Sequence, residues 1–221
     1  MIKICTVTGS RAEFFILKKL ISKLQNKKIF SHYLLVTGSH NSKFFGKTIN
    51  DIKKENISIS GIIDLNIKGD KASDISKYFS LGVKKFSKKF LSLKPDLLIV
   101  LGDRYEIFSA TIAAYLNHIP IVHISGGDTS LGSKDEIFRN SISQMSDLHF
   151  VKINEHKKKL ISLGINKNNI KVTGSLSNDN YKKKFDRKFF LNKPFILITF
   201  HSVTNSDNKN DSNVKYLLDS L

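Results

Sequence analysis

Two short clusters in this chain bring together the residue types that acid–base chemistry needs. Gly102-Asp103-Arg104-Tyr105-Glu106 follows an apolar run over residues 97–101, and Ser125-Gly126-Gly127-Asp128 follows a second run over 119–124. Asp135, Glu136 and Arg139 stand close behind the second cluster. Crowded carboxylates repel and desolvate one another, which raises some of their pKa values and suits them to taking and returning a proton. In an open parallel sheet, ligands bind beyond the carboxyl ends of the strands. Apolar runs that stop abruptly in carboxylates, glycines and an arginine therefore read as strand ends facing a ligand. A plainer reading stays open for Asp103, which at a strand end can cap the helix that follows. Arg104 and Glu106 can equally pair with each other.

The frame that must position these clusters is an alternation of strands and helices. Strands are expected over residues 2–7, 33–36, 62–65, 97–101, 119–124, 149–151 and 170–172. After Gly9, the apolar residues Phe14, Leu17, Leu20, Ile21 and Leu24 recur at helical spacing. Further helices are expected over 44–54, 73–93, 107–116, 135–145 and 155–163. In the long one, Ile75, Phe79, Val83, Phe86, Phe90 and Leu93 share one face while lysines fill the other. Lys94-Pro95 ends it. The strands are continuous apolar runs, as strands buried on both faces should be. The expected architecture is a doubly wound α/β domain with a parallel sheet and right-handed crossovers over residues 1–176. Residues 177–193 are polar and basic and read as a linker helix. Residues 194–221 read as the truncated start of a second α/β unit, with a strand over 195–200 that delivers His201 to a cleft between the two units.

Composition narrows the function classes. The chain has 221 residues, 40% of them hydrophobic, enough for a real core. Its single cysteine, Cys5, lies mid-strand and reads as a core residue. A disulfide framework is excluded, and a reduced, cytoplasmic setting fits. No secretory leader pattern opens the chain, and no run approaches the ~18 uninterrupted apolar residues of a membrane span. The formal net charge of +17 suggests a nucleic-acid partner, yet only four of the 36 basic residues are arginine. Nucleic-acid surfaces lean on arginine for bidentate and stacking contacts. Lysine, asparagine and isoleucine are all abundant, the look of an AT-biased coding sequence. The lysine runs at 157–159 and 182–184 therefore read as solvated helix faces. Neither nucleic acid nor membrane is expected as a partner, although the excess charge helps draw in anionic substrates.

A third loop, Thr8-Gly9-Ser10-Arg11, joins a strand to a helix N-terminus, where free N–H groups and the positive dipole end suit an anion. Gly9 permits the tight turn and Arg11 can grip a phosphate; a plain strand–helix turn is the competing reading, because the three-glycine dinucleotide fingerprint is missing. His123 and His149 lie inside strand runs and read as satisfied core histidines. His201, at a carboxyl end, reads as a catalytic or ligand-binding group. No Cys/His cluster has metal spacing, so no metal and no cofactor are expected.

Taken together, TGSRAE near the start, LGDRYE after a strand, HISGGDTSLGSKDE with Arg139 behind it, MSDLHF, and a later strand ending in HSVT resemble the hydrolysing UDP-N-acetylglucosamine 2-epimerases of sialic and legionaminic acid biosynthesis. The match runs in order from residue 1 to about residue 204. It implies a Rossmann-like sheet forming the N-terminal half of a two-domain glycosyltransferase-B-type fold, with a UDP-sugar in the cleft. The implied reaction releases UDP and a 2-epimerised sugar of the N-acetylmannosamine type through a glycal intermediate, for surface polysaccharide biosynthesis. By resemblance, Asp103 and Asp135 match essential acids, Arg11 the arginine of the first loop, and His201 the histidine opening the second domain. Asp128 joins them as a catalytic candidate. Gly9, Arg11, Arg104, Glu106, Gly126, Gly127, Glu136 and Arg139 are the substrate-binding candidates. Ser125 stands where relatives carry Glu or His, and Asp128 where they carry Glu. Most of the family's second domain is absent from these 221 residues. The alternative implied is an inactive fragment or split subunit that needs a second-domain partner; a homo-oligomer is the other expected assembly.

Overall fold

The computed structural model describes residues 1–69, 71–130, 133–180, 195–200 and 210–221. Seven strands, β1 (Ile2–Thr8), β2 (Phe30–Val36), β3 (Gly61–Ile62), β4 (Leu97–Leu101), β5 (Ile121–Ile124), β6 (Leu148–Val151) and β7 (Ile170–Val172), form one sheet. The order is β3-β2-β1-β4-β5-β6-β7, and every pairing is parallel. Chain direction across the sheet reverses between β1 and β4. This is the doubly wound arrangement expected, and it opens a crevice at the carboxyl ends of those two strands.

Helices α1 (Arg11–Gln25), α2 (Ile49–Lys53), α3 (Ala72–Leu93), α4 (Tyr105–Leu116), α5 (Asp135–Gln144) and α6 (Asn154–Ser162) connect the strands; α7 (Asn210–Asp219) follows later. One face of the sheet packs Cys5, Val7, Leu98 and Val100 against Phe86 and Phe90 of α3 and Ile107 and Ala110 of α4. The other packs Ile4, Leu34, Val36 and Ile99 against Phe14, Leu17 and Ile21 of α1. Burial raises the Cys5 thiol far above its ordinary pKa and keeps it protonated, so it is a core residue and not a nucleophile.

Several elements differ from their sequence reading. The buried stripe of α3 is Tyr78, Gly82, Phe86 and Phe90, at i, i+4 spacing. Phe79 and Val83 are only partly buried. Gly82 takes the closest approach because a Cβ there would collide with Ser109 of α4. The helix expected over 44–54 shrinks to α2, because Gly46 and Lys47 adopt positive φ, +80° and +49°. The strand expected over 62–65 pairs only through Gly61 and Ile62, although Ile63 and Leu65 are still buried. Residues 195–200 form no strand: their apolar side chains are exposed, Leu197 by 84%, and pair with no other described strand. His201 and most of the expected linker lie outside the described residues.

Phe86 is fully buried at the α3–α4–sheet junction. Phe86→Ala is expected to lower unfolding free energy by ~3–5 kcal/mol in urea denaturation. Leu91→Ala, on an exposed residue of the same helix, is expected to stay within about 0.5 kcal/mol of the parent.

Candidate functional site

The carboxyl ends of β4 and β5 and the start of α5 are tied together by one guanidinium. Arg139 sits on α5, buried, and points back toward the strands. Its Nη2 donates to Asp103 Oδ2 and, at 3.0 Å, to Ser130 Oγ. Its Nη1 donates to the Asp128 carbonyl at 2.7 Å. Asp135 opens α5, half-buried. Burial, and after it the charge of Asp103, hold the Asp135 carboxyl above the usual carboxylate range. One acid locked in an ion pair beside a second acid that holds its proton more tightly is an arrangement able to balance charge and to move a proton.

The loop after β5 is clamped from α6. Lys159 donates to Glu136 Oε1 at 2.7 Å, to Thr129 Oγ1 at 3.0 Å and to the Asp128 carbonyl at 3.2 Å. Glu136 also accepts from the Ser130 N–H at 2.9 Å. The hydrogen bond from Lys159 is the main reason its carboxyl lies below the ordinary range. The Asp128 carboxylate pairs with Lys152, and its Oδ1 lies 2.8 Å from His156 Nδ1 without hydrogen-bond alignment. Gly127, at φ +78°, runs so close to α6 that a Cβ would stand 2.5 Å from the His156 carbonyl.

Beyond β1, the first loop holds a different set of groups. The Gly9 N–H donates to Glu13 Oε2 at 2.7 Å, and Ser10 caps α1 by accepting from the Glu13 N–H at 3.3 Å. Glu106 is fully buried under this turn and accepts from Arg104 Nε at 2.6 Å. A Cβ on Gly9 or Gly38 would meet the Glu106 side chain at about 2.6 Å, so two glycines wrap one carboxylate. Glu13 Oε1 and Glu106 Oε2 have no hydrogen-bond partner. Burial, and then the charge of Glu106, raise the Glu13 carboxyl from 4.5 to about 8. Burial raises Glu106 as well, against the pull of Arg104.

Asp103, Asp128, Asp135, Glu136 and Arg139, and the glycines 126 and 127, thus come together around the ends of β4 and β5. Arg104 lies at their edge, its side chain about one-third exposed. Gly9 and Arg11 come from the neighbouring β1 end, and Arg11 is exposed there. Two expectations need revising, and one open reading is decided. Glu106 is sealed in the interior, so it supports Arg104 and does not face a ligand. The Gly9 N–H is already taken by Glu13, which leaves one donor fewer for an anion. The capping position of α4 is Arg104 and not Asp103, and the Asp103 carboxylate goes to Arg139.

Other residues escaped the sequence reading. Lys159 belongs to a lysine run that reads as a solvated helix face and Lys152 carries no sequence signal, yet both reach the loop after β5. Glu13 gave the one available signal, standing three residues after Ser10 as in a capping box. His123 is satisfied as expected, but by the site itself: its ring bonds Gly102 and Ser143. His149 is buried with neither ring nitrogen bonded. Among the described residues no cluster of three or more His, Cys, Asp or Glu is placed to hold a metal, and no helix is long and apolar enough to cross a membrane.

Residues 22–221 match the model of a family described as UDP-N-acetylglucosamine 2-epimerase. The chain belongs to the UDP-N-acetylglucosamine 2-epimerase family. It is 38% identical, over 99% of its length, to the GDP/UDP-N,N'-diacetylbacillosamine 2-epimerase (hydrolyzing) of Campylobacter jejuni. It is 35% identical, over its whole length, to the polysialic acid biosynthesis protein P7 of Escherichia coli. It covers 59% of each of these relatives. The solved UDP-GlcNAc 2-epimerase from Neisseria meningitidis, bound to UDP-GlcNAc, superposes over 80% of this chain and 48% of that one, with a TM-score of 0.71 at 24% identity. That likeness bears out the fold, the Rossmann-like half of a glycosyltransferase-B-type architecture.

The first loop of this family member generates a pH prediction. The folded pKa of Glu13 lies above its ordinary value, so its contribution to stability is complete below pH 4.5 and is lost as pH rises through about 8. Glu13→Gln keeps an acceptor for the Gly9 N–H and removes the titration. In urea denaturation the parent is expected to lose stability between about pH 5 and about pH 9, and the variant to lose distinctly less. Equal pH slopes would show that Glu13 ionises freely in the folded chain.

Proposed function

We propose that this chain carries the acid–base half of a hydrolysing UDP-sugar 2-epimerase site. The convergence of Asp103, Asp135 and Arg139 at the carboxyl ends of β4 and β5, beside the switch point of the sheet, is the observation that carries this reading. C2–H of a 2-acetamido sugar is only weakly acidic. Its removal becomes feasible as the C1–O bond to UDP breaks and positive charge develops at C1. The bond's electrons leave with the diphosphate, the C2 proton passes to a carboxylate, and a C1=C2 glycal forms. Water then adds, with oxygen to C1 and a proton to the opposite face of C2. The products are UDP and the 2-epimeric sugar.

Asp135 is assigned the proton, because its carboxyl already holds one more tightly than usual. Asp103, anchored on Arg139, is assigned the charge at C1. Arg11 and Arg104 face the departing diphosphate. Asp128 supports the loop through Lys152, and His201 is assigned the catalytic role that its match to the histidine opening the family's second domain implies. The domain reading goes with this: a unit over 1–176, a linker over 177–193 and the opening of a second unit over 194–221. The substrate proposed is UDP-N-acetylglucosamine; the names of the relatives make its diacetamido analogue, UDP-N,N'-diacetylbacillosamine, the competitor to test beside it. The enzyme is proposed to act in the cytoplasm. A second reading, a subunit inactive until a second-domain polypeptide or another copy completes it, is favoured by the 59% coverage of the relatives.

Both sugars are to be offered to the chain, alone and with a polypeptide spanning the family's second domain, while UDP release is followed in deuterated water. Little release is expected from the chain alone and clear release from the complemented pair, with deuterium at C2 of the product. Asp103→Asn and Asp135→Asn are each expected to lower kcat at least ~100-fold. Product that keeps its original C2 hydrogen, or full turnover by either variant, would refute the proposal.

A further inference from the structure

The three elements that hold the candidate acids meet at one buried ring. His123, in β5, lies between the end of β4 and α5. Its Nε2 is 2.9 Å from the Gly102 carbonyl oxygen, and its Nδ1 is 2.9 Å from Ser143 Oγ on α5. A carbonyl oxygen only accepts, so Nε2 carries the proton. Nδ1 is then the acceptor and the Ser143 hydroxyl donates to it, which fixes a single neutral tautomer. Burial is the largest influence on this ring and pulls its pKa down to about 3. The cross-strand neighbour His149 and the Arg139 guanidinium push the same way, while Gly102 and Asp128 oppose them.

The carbonyl held by His123 belongs to the residue before Asp103. Because a peptide is planar, fixing that oxygen fixes the Gly102–Asp103 peptide plane. The Gly102 N–H is held as well, by the Ile124 carbonyl at 3.3 Å. Gly102 adopts φ +84°, and a Cβ built on it would meet nothing within 4 Å. No neighbour crowds the side a Cβ would take, and hydrogen bonds to β5 hold both the N–H and the carbonyl of this turn. Gly126 completes the arrangement, since a Cβ there would come within 2.8 Å of Ser143 Oγ and 3.1 Å of His123 Nδ1. The loop after β5 leaves room for the pair.

We propose that His123, oriented by Ser143, is a positioning residue that sets the Gly102–Asp103 peptide and so aims Asp103 at Arg139 and, on the epimerase reading above, at the reacting sugar. The proton donor on Nε2 is the operative group. Gln at this position can present an amide donor of similar reach, whereas Leu fills the space without one.

Backbone amide and arginine side-chain NMR of the 221-residue chain tests this without requiring turnover. His123→Leu is expected to shift the Gly102 and Asp103 amide signals and to lose the slowly exchanging Arg139 guanidinium signal. His123→Gln is expected to keep both close to the parent. Leu and Gln variants that match the parent alike, or that lose the signals alike while still folded, would overturn the proposal. Should the Leu variant fail to fold, Ser143→Ala decides instead. It frees the ring and is expected to shift the Gly102 amide, and an unchanged amide would overturn the assignment. Where UDP release is measurable, His123→Leu is expected to lower kcat about 100-fold while KM stays within about twofold, and His123→Gln to restore most of it. Absence of turnover in the parent even when complemented with the second-domain polypeptide would count against the epimerase reading and leave the NMR outcome to judge the positioning role.

Discussion

The candidate site depends on a buried cation. Removing a guanidinium from water is costly unless its donors are met, and truncating one partner of such a pair leaves an uncompensated charge. Arg139 meets this demand with groups far apart in sequence: Asp103 after β4, and Asp128 and Ser130 after β5. The α5 helix cannot shift without breaking those bonds, and neither strand end can move independently of the other. Asp103 is thus anchored and Asp135, on the same helix, is carried beside it. The raised pKa of Asp135 follows from that enforced proximity together with its burial.

Around this centre the turns are held by hydrogen bonds and by close backbone approaches. The turns at Gly102 and Gly127 need left-handed backbone, which glycine adopts at little steric cost. Ser125 adopts φ +64° without that freedom, and its N–H is held by the Phe150 carbonyl at 2.9 Å. Strain of this kind persists only where the surroundings over-determine it. The cations of α6 and the His123 ring supply the surroundings on one side. On the other, Glu13 and Glu106 fill the space beneath Gly9 and Gly38, at the expense of two carboxylate oxygens without partners.

The division of labour among the carboxylates follows from where each side chain ends. Asp103 and Asp135 remain partly open to solvent, whereas Glu106 is closed off. Asp128 and Glu136 are engaged by Lys152 and Lys159 and hold the loop in shape. Residue type alone does not separate these roles. Five acids within one cluster of strand ends look equivalent until their partners are known.

Much of the architecture was legible in the residues themselves. The strands at 97–101 and 170–172 agree with the structure to the residue, and the helix after Gly9 starts, and the helices before Lys94-Pro95 and Gly164 stop, where those residues require. Apolar periodicity and turn chemistry are local, so a sequence displays them directly. Where two local rules conflicted, the reading failed: Gly46 and Lys47 cut short a helix, and β3 kept only two paired residues although its apolar run continues. Adjacency of acids to apolar runs also located the site, because parallel strands deliver their next residues to one edge. What tertiary structure alone decided was which of those residues touch. Arg139 reaching Asp103, Lys159 crossing to Glu136 and His123 holding Gly102 span 36, 23 and 21 residues. Such contacts depend on how the crossovers stack α5 and α6 against the strand ends, and no local pattern encodes that geometry.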